Sequence, residues 1–186
     1  MVLGVLSALV LQVAPGRYDA AFSCDCKPQA TQSAGTLTTV PRTGGDFDLD
    51  YPNAGSATLG LALRGGRKVV TDAPGLQPGN KWQSSVDVLV EDKTFTVPVA
   101  ASITGVDKGV ATIEVHGELD DQPMTLQMGT IPMSITLSFV ERVKLGQSAD
   151  DSPVLLSLAE TMVDHFTRDF NGRPWDATVK AALTAK

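Results

Sequence analysis

The chain has few of the residues that carry most catalytic chemistry. Only two of its 186 residues are histidine, two are cysteine, and aromatics make up 5%. Two histidines exclude most histidine-based catalytic sets and multi-histidine metal sites. No serine stands in a Gly-x-Ser-x-Gly elbow, the turn that presents a nucleophile in many hydrolases. The stretch Gly60–Gly66 (GLALRGG) lacks the Lys-Ser/Thr ending of a phosphate loop. Positive charge is also short: Lys and Arg number 15 against 21 Asp and Glu, for a net charge of −6. Nucleic-acid binding needs clustered cations, so a phosphate-backbone partner is not expected. The densest basic stretch, Arg64, Arg67 and Lys68, sits among glycines and reads as a solvated turn. No apolar run reaches the roughly 20 residues of a helical membrane span, so no stable span is expected.

What is present fits one folded domain. A hydrophobic share of 42% and a charged share of 19% are those of a globular chain with a real core. With aromatics scarce, that core must come from Val, Leu, Ile and Ala, a mix that favours strands. The uncharged segment 1–14 (MVLGVLSALVLQVA) has the length of a signal-peptide apolar region, but no Lys or Arg precedes its apolar run and no small-x-small site follows. It reads either as an export signal or as an arm that packs in the fold or on another chain. Residues 15–186 are then a single β-rich domain.

Cys24 and Cys26 are separated by one residue. A bridge at that spacing is strained and rare. Two thiolates are half of a soft-metal site, which needs about four ligands. The plain reading is two small side chains in a strand or loop, with redox or inter-chain pairing as alternatives.

From Cys26 to Gly45 the residues are small and polar and read as an extended surface segment, with a short strand over Thr36–Val40. Asp46–Tyr51 (DFDLDY) alternates and reads as a strand with one acidic face. Its D-x-D-x-D start resembles a calcium loop, but Tyr51 and Ala57 stand where that loop needs Gly and a bidentate Glu. Ala57–Leu63 reads as a strand, Arg64–Arg67 as a turn, and Asp72–Lys81 as a loop.

Two-residue periodicity is clearest from Trp82 onward. Val86, Val88 and Val90 alternate, and Glu91-Asp92-Lys93 turns the chain into Thr94–Val106. Asp107-Lys108-Gly109 turns it into Val110–Leu119. Asp120–Pro123 turns again into Met124–Met128, and Ile131–Lys144 closes an antiparallel meander. Pro98 and Pro132 each remove a ladder donor and belong at edges or bulges.

After Gly146 the period changes. Ser152 and Pro153 resemble a helix start. Leu155, Leu158, Met162, Phe166 and Phe170 recur at helical spacing. The pattern predicts helices over 153–170 and 176–185. The expected fold is mainly β (α+β): a curved antiparallel sheet or half-barrel with a C-terminal amphipathic helix across its apolar face.

No constellation carries chemistry outright. His116 shares a strand face with Glu114 and Glu118, an arrangement more typical of a solvated face than of an ion site. His165 pairs with Asp169 if the segment is helical. Glu160 and Asp164 then lie one turn apart on its polar side, in solvent. No catalytic, cofactor-binding or metal residue, and no cofactor, is therefore expected.

The stretch Leu76–Leu119 carries Pro78-Gly79-Asn80-Lys81-Trp82 before a hairpin, a strand ending Gly105-Val106, and Val110-Ala111-Thr112-Ile113-Glu114-Val115 after the turn. It resembles β-rich domains of secreted bacterial proteins and lipoproteins. The resemblance implies an envelope location and no activity. The leading expectation is a non-enzymatic structural or binding protein, periplasmic or secreted, that contacts other chains or self-associates and can hold a small apolar ligand between sheet and helix. The alternatives are an assembly subunit of a virion or phage tail with extended arms, and a metal-dependent enzyme.

Overall fold

A computed structural model describes residues 16–26, 29–42, 47–127, 129–146, 153–169 and 171–186. The apolar segment 1–14, the Ser152 cap and Phe170 lie outside them. The described residues form nine antiparallel strands in one open sheet and a single helix. In chain order these are β1 (Arg17–Asp25), β2 (Thr31–Pro41), β3 (Phe47–Asp50), α1 (Ser56–Thr71), β4 (Lys81–Val90), β5 (Lys93–Asp107), β6 (Val110–Leu126), β7 (Gly129–Lys144), β8 (Val154–Phe166) and β9 (Trp175–Ala185). The sheet order is β3-β2-β1-β9-β8-β7-β6-β5-β4, so β1 pairs with β9 and the first and last strands meet inside the sheet.

The meander from Trp82 to Lys144 follows the sequence pattern. Lys108 and Gly109 take positive φ in the β5–β6 turn, as a tight hairpin requires. Pro98 lies one residue beyond the first β5–β6 pair, Val99 with Gly117. Its missing N–H therefore falls where that ladder has ended. One expected turn is absent. Asp120–Pro123 is a bulge within a continuous β6, which pairs with β7 on both sides of it. Asp121 at φ 53° absorbs the extra residue.

The helix is not at the C-terminus. The expected strand Ala57–Leu63 and the turn at Arg64–Arg67 are one helix, α1. Its buried residues include Leu59, Ala62, Leu63, Gly66, Val69 and Val70, which recur every three or four positions. Ala57, Leu59, Leu61, Ala62 and Leu63 are good helix formers. The glycines that resemble a turn instead let the helix sit deep in the sheet. A Cβ at Gly60 would meet Leu49 of β3 at 2.8 Å, at Gly65 Val86 of β4 at 2.5 Å, and at Gly66 the Glu141 carboxylate of β7 at 2.1 Å. The helix thus touches both edge strands and the centre of the sheet, which curls around it. Arg64 donates to the Phe47 carbonyl at 2.9 Å, and its guanidinium stacks on the Phe47 ring. At the other end Trp82 Nε1 donates to the Val69 carbonyl at 2.9 Å. Lys68 and Ser84 bond Asp72 there.

The two expected C-terminal helices are strands β8 and β9. In β8 the residues facing the core are Leu155, Leu158, Glu160, Met162, Asp164 and Phe166. A bulge opposite Arg142 and Val143 shifts the first of them out of step. Acids at two inward positions broke the apolar alternation and left only its helix-spaced remainder. In β9 the alternation is intact: Ala177, Val179, Ala181 and Leu183 are buried. The alanines, strong helix formers, masked it. Tertiary pairing decides: β9 lies between β1 and β8 and donates to both.

Candidate functional site

Three acids sit where a hydrophobic side chain is the rule. Glu141 on β7 and Glu160 and Asp164 on β8 face inward, with relative exposures of 0%, 6% and 3%. Glu141 pairs with Leu158 and Glu160 with Phe139, so the two carboxylates are diagonal neighbours on one sheet face. The Glu141 carboxylate lies against Gly66 of α1. Both its oxygens, Oε2 of Glu160 and Oδ1 of Asp164 have no hydrogen-bond partner. Burial raises the Glu141 carboxyl to about 8, helped by repulsion from Glu160. Burial raises Glu160 to about 7. It raises Asp164 to about 7, with His165 pulling it down and Glu91 pushing it up. A buried carboxyl without a cation takes the neutral form.

Across β8–β9 the acids face small residues: Glu160 pairs with Ala181 and Asp164 with Ala177. Near Asp164 this leaves a cavity of about 340 Å³ at the N-terminal end of α1. Its walls come from six elements, including Phe22 of β1, Gly55 and Thr58 of the helix end, Val90 of β4, Asp164 and Phe166 of β8, and Trp175 and Val179 of β9. Phe166 and Trp175 stack with centroids 4.2 Å apart and planes 6° apart. Gly55, the residue before the helix, has φ 87° and no room for a Cβ, because the Phe22 ring would lie 2.2 Å from it. No side chain caps this helix end and its first turn holds no acid. Its amide groups carry about half a positive charge.

Cys24 and Cys26 border the same cavity with their sulfurs in contact. Cys26 lies just past the end of β1, where the chain leaves the extended form. The two Cα atoms come within 5.2 Å, inside the reach of a disulfide.

The remaining sequence candidates do not converge. His116 is exposed on β6 on the same face as Glu114 and Glu118. His165 faces outward; its Nδ1 lies 2.8 Å from Asp176 on β9 rather than near Asp169. Asp169 accepts instead from the backbone of Asn171 and Arg173 in the turn before β9. Asp48 pairs with Arg42 on the surface. Glu160 and Asp164, expected in solvent, are core residues. Glu141 was not singled out at all, although it falls on the inward register of Ile135, Leu137, Phe139 and Val143. Among the described residues no three His, Cys, Asp or Glu side chains are placed to hold a metal ion. No helix there is long and apolar enough to cross a membrane. No family model, curated protein or solved structure matches the chain.

Proposed function

We propose that the protein is a non-enzymatic binding protein that holds one small ligand with an apolar body in the cavity between the N-terminal end of α1 and the sheet. The observation that carries this reading is the cavity itself. Its 340 Å³ lie at the lower end of the range for small-molecule sites, and its walls combine aromatic and aliphatic side chains with Thr31, Thr58, Glu91 and the buried Asp164. Of the three buried acids, Asp164 lines the cavity, where a ligand could offset the cost of burying it. Placement outside the cytoplasm fits this reading. Segment 1–14 has the character of an export signal, and Cys24 and Cys26 are close enough for a bridge of the kind found in oxidising compartments.

The test is a fluorescence titration of Trp82→Phe protein, in which Trp175 is the single indole, with the neutral probe 2-phenylethanol. Saturable change in the millimolar range or below, with binding at least about tenfold weaker in Trp175→Ala when measured by calorimetry, supports the cavity as the site. No saturable change, or the same calorimetric affinity after Trp175→Ala, overturns it.

A further inference from the structure

Resting on that cavity reading, we propose that the polar end of the ligand is an ammonium group, held by the Asp164 carboxylate with the aromatic pair Phe166–Trp175 beside it. The charge around the cavity favours this choice. Two carboxylates border it, Asp164 within and Glu91 at the β4–β5 turn, and neither Lys nor Arg is among its lining residues. Asp164 has one oxygen without a partner and is 3% exposed, so a donor arriving with the ligand would meet an acceptor already stripped of solvent. A charged N–H to a carboxylate is the strongest hydrogen bond available there. The faces of Phe22, Phe166 and Trp175 attract a cation rather than an anion. The helix end opposes it with about half a positive charge, less than either carboxylate supplies.

Ligand charge and pH then couple. The charges acting on Asp164 are His165, next to it on β8 but on the outer face, Glu91 from the β4–β5 turn and the first-turn amides of α1. With its carboxyl near 7, Asp164 must lose a proton before it can pair with a cation. Affinity for an ammonium ligand therefore rises as pH increases from 6 to 8.

Calorimetric titration at pH 8 with three probes of one shape tests this: 2-phenylethylammonium, 2-phenylethanol and phenylacetate. The ammonium is expected to bind at least about tenfold more tightly than the alcohol, and phenylacetate more weakly than the alcohol. Asp164→Asn should remove the ammonium preference, so that the ammonium binds no more tightly than the alcohol. In the wild type, where folding of a variant is not at issue, ammonium affinity should fall about tenfold from pH 8 to pH 6 while alcohol affinity stays level. Tighter binding of phenylacetate than of the alcohol, an ammonium preference that survives Asp164→Asn, or a level pH profile would overturn the ammonium assignment. If the alcohol binds without any ammonium preference, the ammonium claim falls and the cavity stands. If none of the three binds, the cavity reading falls as well.

Discussion

Replacing Glu141 by Gln should stabilise the protein at neutral and alkaline pH and change little in weak acid. In the unfolded chain this carboxyl titrates near 4.5, and burial carries it to about 8 in the fold. Between those values the unfolded state has released a proton that the folded state still holds. Stability therefore falls as pH rises, by about 1.4 kcal/mol per pH unit. From 4.5 to 8 is 3.5 pH units, so the loss is roughly 5 kcal/mol, complete above pH 8 and absent below pH 4.5. Glu160, carried from 4.5 to about 7, adds roughly 3 kcal/mol over its own window. Asp164, carried from 3.8 to about 7, contributes on the same order; typical domains have only about 5–15 kcal/mol in total, so the three buried acids should dominate the pH profile. Gln keeps the shape of the neutral acid and cannot ionise. Urea unfolding followed by tryptophan fluorescence at half-unit steps from pH 4 to 9 gives the comparison. Wild-type stability should decline from pH 4.5 upward, and the gain from Glu141→Gln should grow from near zero to several kcal/mol at pH 9. A wild-type profile that rises over this range, or a variant no more stable than wild type at pH 9, would refute the burial argument.

Other substitutions test the seating of the helix. Gly66→Ala places a Cβ 2.1 Å from the Glu141 carboxylate and 2.8 Å from Leu158, and should cost about 2–3 kcal/mol in urea unfolding. Gly55→Ala combines φ 87° with the Phe22 contact and should cost about as much, with the Tm lowered by several degrees. Trp82→Phe leaves the buried Val69 carbonyl without its donor and should cost about 1–2 kcal/mol. By contrast His165→Ala removes an exposed cross-strand pair with Asp176 and should change stability by less than about 1 kcal/mol.

The sequence disclosed the part of the fold in which neighbouring strands are joined by short turns. From Trp82 to Lys144 the inward positions are apolar except for Glu141, and turn residues such as Gly109 mark the reversals. The rest was hidden for two physical reasons. Glycine in α1 has a packing role, close approach of helix to sheet, that one-dimensional reading takes for a turn. Glu160 and Asp164 stand at inward positions of β8, where carboxylates are rare, so the alternation is invisible unless they are counted as core. The same two residues hid the strand and define the candidate site. An acid on the inward register of a strand is the available signal, and Glu141 displays it within the meander itself.

The central claim is that Glu141, Glu160 and Asp164 are buried neutral acids between sheet and helix. Carbon-detected NMR of their side-chain carboxyls, titrated from pH 3 to 10, measures this directly. The structure requires midpoints near 8, 7 and 7 for the three. Midpoints near 4 for all of them would place the carboxyls in water and contradict the account.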